Sequence, residues 1–491
     1  MATTKAQEPA GDTRRWAALF CIGLAQLMIV LDATVVNIAL PSIQRDLTVS
    51  DGDRQWIVTA YTLAFGGLLL FGGRVADHFG RRRTFLVALV GFAGASMLGG
   101  AATGFETLLV ARVLQGVFGA LLGPSALSLL TVTFSRPDER AKAFGIWGAI
   151  SAAGGAVGLL AGGALTEYLD WRWCMYINVP LALVAAVGGY GVLTESRREG
   201  GARFDVPGVL LVTGGLVAIV YGAGRAESSG WSSVTVTGLL AGGALLLAVF
   251  ALVERRVAHP LLPPRLVADR TRGAAYLAVG LSVIGMFAAF LFLTYYMQGV
   301  MGYSPVRTGV AFLPMVTAVL VSAGGLTTRL LPRVAPRALV VPGMLIGACG
   351  MLWMLRLEVG GGYAGGVLVS QLLFGFGAGM ILPTALNYAT RGVHPDDSGV
   401  ASAGVNTAQQ IGASIGTALL NTIATGATAD YLAEHGPAAA QQAVVEGFQV
   451  AGAWAAGIML AGALVVAVLM NAPRPRREDD PENAPAVAVH A

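Results

Sequence analysis

Apolar residues along this chain come in blocks of about 20, each followed by a short turn rich in Arg, Gly or Pro. A block of that length, wound as a helix, crosses a ~30 Å hydrocarbon core. Six blocks fall between residues 16 and 194, two at 206–224 and 234–254, and six more between 274 and 470. The pattern predicts an all-α polytopic membrane protein of about fourteen transmembrane helices. Two six-helix halves, 16–194 and 274–470, would flank a two-helix insert at 206–254. The thirteenth block, 400–424, differs from the rest in carrying Asn406, Gln409 and Gln410. The first block is too long for a signal sequence and no small-residue cleavage site follows it, so it reads as a retained span.

Composition agrees with this layout. The chain is 55% hydrophobic and 12% charged, with a mean hydropathy of +0.67, where soluble domains carry roughly 25% charged residues. Its 67 glycines suit helices that must approach closely in lipid. Of 32 Lys and Arg, 25 lie on alternate segments that include both tails, six lie on the other side, and Arg112 is inside a block. The positive-inside rule then places the tails, 1–15 and 471–491, in the cytoplasm and supports an even number of spans. Cys21, Cys174 and Cys349 sit in or beside apolar runs at unrelated spacings and read as small core residues, not as a disulfide or metal set. No metal, cofactor or nucleic-acid partner is expected. There is no G-x-x-x-x-G-K-[ST] loop, so ATP is not the expected fuel.

Two charged residues interrupt the blocks: Asp32 in the first and Arg112 in the fourth. A carboxylate in hydrocarbon costs about 2.5–3.5 kcal/mol on insertion scales, which marks Asp32 as functional. Its place in the outer part of the first span suits a proton carrier that loads from outside and releases inside. The alternative is a structural acid paired with Arg112. Arg112 keeps its charge and, on the residues alone, reads as a partner for that acid or as a side chain that pins carbonyls of a neighbouring helix, with Gln115 in the same network. Uncharged polar residues within spans are either interhelical glue or lining of a substrate cavity; Asn37, Gln115, Asn387, Asn406 and Gln410 are the cavity candidates. Trp56, Tyr61, Trp171 and Trp173 sit near span ends and read as interface anchors.

An internal repeat links the halves. Gly72-Gly-Arg-Val-Ala-Asp-His-Phe-Gly-Arg81 and Gly324-Gly-Leu-Thr-Thr-Arg-Leu-Leu-Pro-Arg333 align at a constant offset, which makes the halves parallel. Parallel halves with a site at their interface give alternating access by rocking. Within the first copy, Gly73, Asp77, Gly80, Arg81 and Arg82 form a spacing more specific than a basic cytoplasmic turn.

That loop resembles the G-x-L-A-D-x-x-G-R-[KR] motif of the major facilitator superfamily, with Val75 in place of the leucine. Leu108-Leu-Val-Ala-Arg112-Val-Leu-Gln115-Gly116 resembles its fourth-span motif. Leu31-Asp32-Ala-Thr-Val-Val-Asn37-Ile-Ala-Leu-Pro41 resembles the first-span motif of its drug:proton antiporters with fourteen spans. Trp171-Arg-Trp-Cys-Met-Tyr-Ile-Asn178-Val-Pro180 and Tyr303-Ser-Pro305-Val-Arg-Thr-Gly309 are similar to stretches at the matching places in that branch. The fifth-span antiporter motif G-x-x-x-G-P-x-x-G-G is matched at Gly154, Gly158, Gly162 and Gly163, but Leu159 replaces the proline. Any bend there must come from glycine alone or be smaller.

The resemblance implies a monomeric, proton-driven exporter of hydrophobic or cationic drugs or antibiotics from a bacterial cytoplasm. In that scheme Asp32 and Arg112 couple the proton and the 73–82 loop acts as a conformational switch. A single proton could sustain roughly a hundredfold concentration of substrate if potential and pH gradient both contribute. The alternatives are a dedicated exporter of one self-made antibiotic or metabolite, and a non-transporting membrane sensor of the same fold.

Overall fold

The structure is a computed structural model that describes residues 12–471 except 135, 197–204, 258–264, 266–267, 392 and 394–397. Most of both expected tails lies outside the described residues. The described chain is helical, with no strand among the described residues. Helical segments follow the apolar blocks in order. The first half comprises α1 Asp12–Asp46, α2 Trp56–Phe79, α3 Arg81–Gly100, α4 Phe105–Thr133, α5 Pro137–Tyr168 and α6 Trp173–Val192. The insert comprises α7 Val206–Ser229 and α8 Val234–Glu254. The second half comprises α9 Arg270–Val300, α10 Pro305–Leu330, α11 Arg337–Arg356, α12 Ala364–Thr390, α13 Ser398–His435 and α14 Pro437–Leu469.

Fourteen helical segments of the described chain follow the fourteen apolar blocks, and not all of them are long and apolar enough by themselves to count as spans. Among the described residues, twelve helices are long and apolar enough to cross a membrane. Helix α2, bent by 55° between Trp56–Leu69 and Phe71–Phe79, brings the number to thirteen. Helix α13 is 38 residues long, yet Asn406, Gln409, Gln410 and Asn421 dilute its apolar stretch and it is not among them. The helices also overrun the predicted blocks, because a charged residue ends an apolar run without ending a helix. The Asp269 carboxylate accepts from the Arg272 amide at 2.8 Å, so α9 starts at Arg270 rather than at 274. Such a cap satisfies one of the free amides of the first turn. Asp205 does the same for α7, accepting from the Gly208 amide at 3.0 Å.

Apolar side chains pack in separate clusters within the two halves. Phe85, Phe92, Leu122 and Phe134 fill the first, and Val279, Met344 and Ile381 the second. A further cluster, with Val35, Leu159, Phe292 and Phe312, runs across both halves at the end where α1 turns into α2. Hydrogen bonds tie the halves at that end. Gln298 Nε2 donates to the Ile38 carbonyl at 3.0 Å, and the Val306 amide donates to Glu167 Oε2 at 2.9 Å. Arg54 Nε donates to Asn421 Oδ1 at 3.2 Å while its guanidinium lies 4.1 Å from the Tyr295 ring centre.

The insert lies over the seam between α2 and α13. Thr213 Oγ1 donates to the Gly67 carbonyl of α2, and Thr422 Oγ1 of α13 donates to the Ala223 carbonyl, each at 3.1 Å. Trp56 and Tyr221 add an aromatic contact at 5.7 Å. Of the three cysteines, Cys21 and Cys174 are buried as expected, while Cys349 is exposed.

Candidate functional site

The two charges that interrupt the apolar blocks meet inside the first half. Arg112 Nη1 donates to Asp32 Oδ2 at 2.7 Å, with the two side chains 1% and 0% exposed. Asp32 Oδ1 accepts two further bonds, from Gln115 Nε2 at 3.0 Å and from Asn178 Nδ2 at 2.8 Å. Arg112 also donates through Nε to the Ile57 carbonyl at 2.8 Å and through Nη1 to Gln115 Oε1 at 2.9 Å. Its guanidinium stacks 4.4 Å from the Tyr61 ring centre. Gln115 Nε2 reaches Ser96 Oγ at 2.8 Å as well. Side chains of α1, α2, α3, α4 and α6 thus converge around one carboxylate, and its three donors match an ionised acid that can only accept.

Local sequence explains the convergence. Arg112 and Gln115 are three apart on α4, one face of a helix. Asn178 lies on α6 on the side that meets α1, where it is fully buried against Asp32. The carbonyl of Tyr61 lies 2.5 Å from where a Gly116 Cβ would sit. That glycine lets α2 and α4 approach until the guanidinium covers the aromatic ring.

Several expectations change here. Asp32 is enclosed in this conformation rather than open toward the outer side. Tyr61, expected at the membrane interface, is 2% exposed and lies under Arg112. Asn37 donates to the Ala33 carbonyl of its own helix at 2.7 Å and is buried in this conformation. Of the other cavity candidates, Asn387 and Asn406 are exposed and Gln410 is half-buried, its Cβ pressed against Gly66 of α2. Gln115 joins the carboxylate network, as its spacing from Arg112 leads one to expect. Asn178 and Ser96 join the site from outside the set of candidates. The only sequence signal for Asn178 is its place in a stretch resembling the antiporter branch.

The 73–82 loop is held by a residue from another helix end. Asp77 and Arg81 pair at 3.0 Å, one turn apart. Gly80, between α2 and α3, has φ +106°, a left-handed conformation that disfavours a side chain. A Cβ there would sit 2.5 Å from Glu195 Oε1. Glu195 accepts from the amides of Arg82 and Arg83 at 3.1 and 3.2 Å, capping α3 from the far end of α6. Arg82 Nη2 donates to the Tyr190 carbonyl at 2.5 Å. A carboxylate at a helix N-terminus gains about 0.3–1 kcal/mol from the dipole alone. Glu195→Ala is expected to lower stability by about 1 kcal/mol, and Gly80→Ala by more, measured as thermal melting of the purified protein. Equal melting of Glu195→Ala and the parent would show that the cap contributes nothing.

The glycines of α5 divide between two neighbours. Gly154 packs on Leu27 and Val30, Gly158 on Thr34, and Gly162 on Val35, all on α1. Gly163 faces the backbone of Pro305 and Val306 on α10, and Gly309 of α10 abuts the Leu159 carbonyl. Helix α5 runs unbroken from Pro137 to Tyr168, with Leu159 buried at the contact between halves.

The chain is 56% identical over 465 residues to the puromycin resistance protein pur8 of Streptomyces alboniger, covering 94% of this chain and 92% of that one. It is 38% identical over 420 residues to the cephamycin export protein CmcT of Amycolatopsis lactamdurans, with 85% and 86% of the two chains covered. It is 34% identical over 440 residues to the tetracenomycin C resistance and export protein of Streptomyces glaucescens, with 88% and 81% covered. Among solved structures, a bacterial homologue of the lysosomal transporter Spinster superposes with a TM-score of 0.67 at 15% identity, over 94% of this chain and 98% of that one. Residues 22–417 match the profile of one family along most of the described helices. On that match and those relatives, the chain is a membrane transporter rather than an enzyme, and it belongs to the Major Facilitator Superfamily.

Proposed function

We propose that this chain exports a small-molecule antibiotic from a bacterial cytoplasm in exchange for protons. It would work as a monomer in the plasma membrane with both ends on the cytoplasmic side. The observation that carries the proton part is the enclosed Asp32–Arg112 pair, which has one acid, one fixed positive charge and no water-facing surface. A buried pair of this kind is weak support for stability, since desolvation offsets much of its attraction. Its presence in a membrane span therefore favours a functional role. In the cycle, Asp32 takes a proton from the outside, the halves rock, the proton leaves inward, and the cargo binds. The state described here has its halves tied at the α1–α2 end, by Arg54, Asn421, Gln298 and Glu167.

Export of a single compound is favoured over a broad drug pump by the three relatives above, each named for one antibiotic. The high arginine usage, 30 of the 32 basic residues, fits a GC-rich producer of such compounds. The test is proton release from inverted vesicles on addition of puromycin, cephamycin, tetracenomycin C and a panel of unrelated dyes. Release with one antibiotic and not with the dyes supports the dedicated exporter. Release with many dyes replaces it with a multidrug pump. No proton movement with any compound, while vesicles still accumulate it, overturns antiport.

A further inference from the structure

Loading a proton on Asp32 creates a problem that the structure frames in detail. The ionised carboxylate is served by three donors. Once protonated, one of its oxygens becomes a donor and needs an acceptor, because an unpaired buried hydroxyl costs roughly 1–3 kcal/mol. Arg112 has no acceptor atom. Gln115 is fixed at both ends, its Oε1 by Arg112 and its Nε2 by Asp32 and Ser96. Asn178 is different. Its Nδ2 donates to Asp32 Oδ1, while its Oδ1 is buried with no hydrogen-bond partner.

We propose that Asn178 is a positioning residue that turns its amide over when Asp32 gains a proton, so that the new O–H on Asp32 Oδ1 donates to Asn178 Oδ1. This rests on the reading of Asp32 as the proton site. The proton adds to Asp32 Oδ1 and forms one O–H bond. Asp32 Oδ2 keeps its bond from Arg112, and Oδ1 keeps a lone pair for Gln115. Each orientation of the amide leaves one Asn178 atom unpaired, Oδ1 before and Nδ2 after, so the flip itself is nearly balanced. The direction is set by the protonation state of Asp32, since a carboxylate only accepts and a carboxylic acid also donates.

The groups facing Asp32 are few. Arg112 comes from α4, Tyr61 from α2 and Cys174 from α6, the last two within reach of the Asp32 charge. Helix α3 beyond Arg83 and helix α5 between Lys142 and Glu167 carry no titratable side chain. Helix α9 meets α1 through Gln298 on the Ile38 carbonyl, further along the helix. The Tyr61 hydroxyl is also buried without a partner, but it makes no bond to Asp32, whereas Asn178 is already in direct contact with the carboxylate.

Infrared difference spectra between low and high pH, recorded on the full chain in lipid vesicles, test this. A carboxylic-acid stretching band that vanishes in Asp32→Asn identifies the protonated Asp32. In Asn178→Leu the band is expected to move to higher wavenumber, as a carboxylic acid with no acceptor does, and cargo-driven proton release to fall at least about tenfold. Asn178→Thr, whose hydroxyl can both donate and accept, should return the band toward its original position. A band that stays in place in both variants overturns the role of Asn178 and leaves Asp32 as the proton site. Absence of any band sensitive to Asp32→Asn overturns the proton site itself.

Discussion

Arg112→Gln is expected to destabilise the protein by about 3–5 kcal/mol, because it leaves the Asp32 carboxylate buried without its counter-charge. Asp32 is fully buried and held 2.7 Å from the guanidinium, so neither charge can be rescued by water. Adding Asp32→Asn to the same chain should recover most of the loss, since two neutral amides can share the hydrogen bonds that remain. The bond from Arg112 to the Ile57 carbonyl is not recovered. Thermal melting of the four proteins gives the coupling directly. A double variant no more stable than Arg112→Gln would show that the two do not act as a pair. Transport separates stability from mechanism: Asp32→Asn, alone or in the double variant, should abolish uphill export even where the fold is intact. Continued accumulation against a gradient by a well-folded Asp32→Asn protein would remove this acid from the cycle.

Gly162→Ala is expected to cost about 3 kcal/mol, near the upper end of what one added methyl does in a packed interior. The new Cβ would lie 2.9 Å from Val35 Cα and 3.0 Å from its carbonyl oxygen, and backbone cannot step aside as a side chain can. Gly155, two turns earlier on the same helix, has nothing within 4 Å of its Cβ position. Gly155→Ala is therefore the matched control and should be neutral or slightly stabilising, as alanine is the better helix former. Expression as a fluorescent fusion and melting in detergent compare the two. Equal behaviour would mean that α1 and α5 are not held by close backbone approach.

The features legible in the sequence share one property: they break a strong background. Asp32 and Arg112 stand out because nothing else charged lies so deep in an apolar block, and Gln115 follows from its spacing on α4. The glycines of α5 are legible as a small face, and the structure divides that face between α1 and α10. What stays hidden depends on contacts between distant segments. Glu195 reaches the start of α3 only after α6 folds back beside it. Asn178 is one uncharged amide among many until α6 packs beside α1 and sets it against Asp32. The burial of Tyr61 is not legible, because closeness to a span end says nothing about which side of the helix faces the neighbour. The same gap applies to the polar residues offered as cavity lining. A polar position within a span marks a contact with something other than lipid, and Asn37 meets that need within its own helix.

Helix α7 bonds to α2 through Thr213 and receives a bond from Thr422 on α13. It therefore spans the seam between α2 of the first half and α13 of the second. The opposite flank is joined differently: there α5 and α10 touch backbone to backbone at Gly163 and Gly309, so one seam is spanned by a third helix and the other closes on its own glycines.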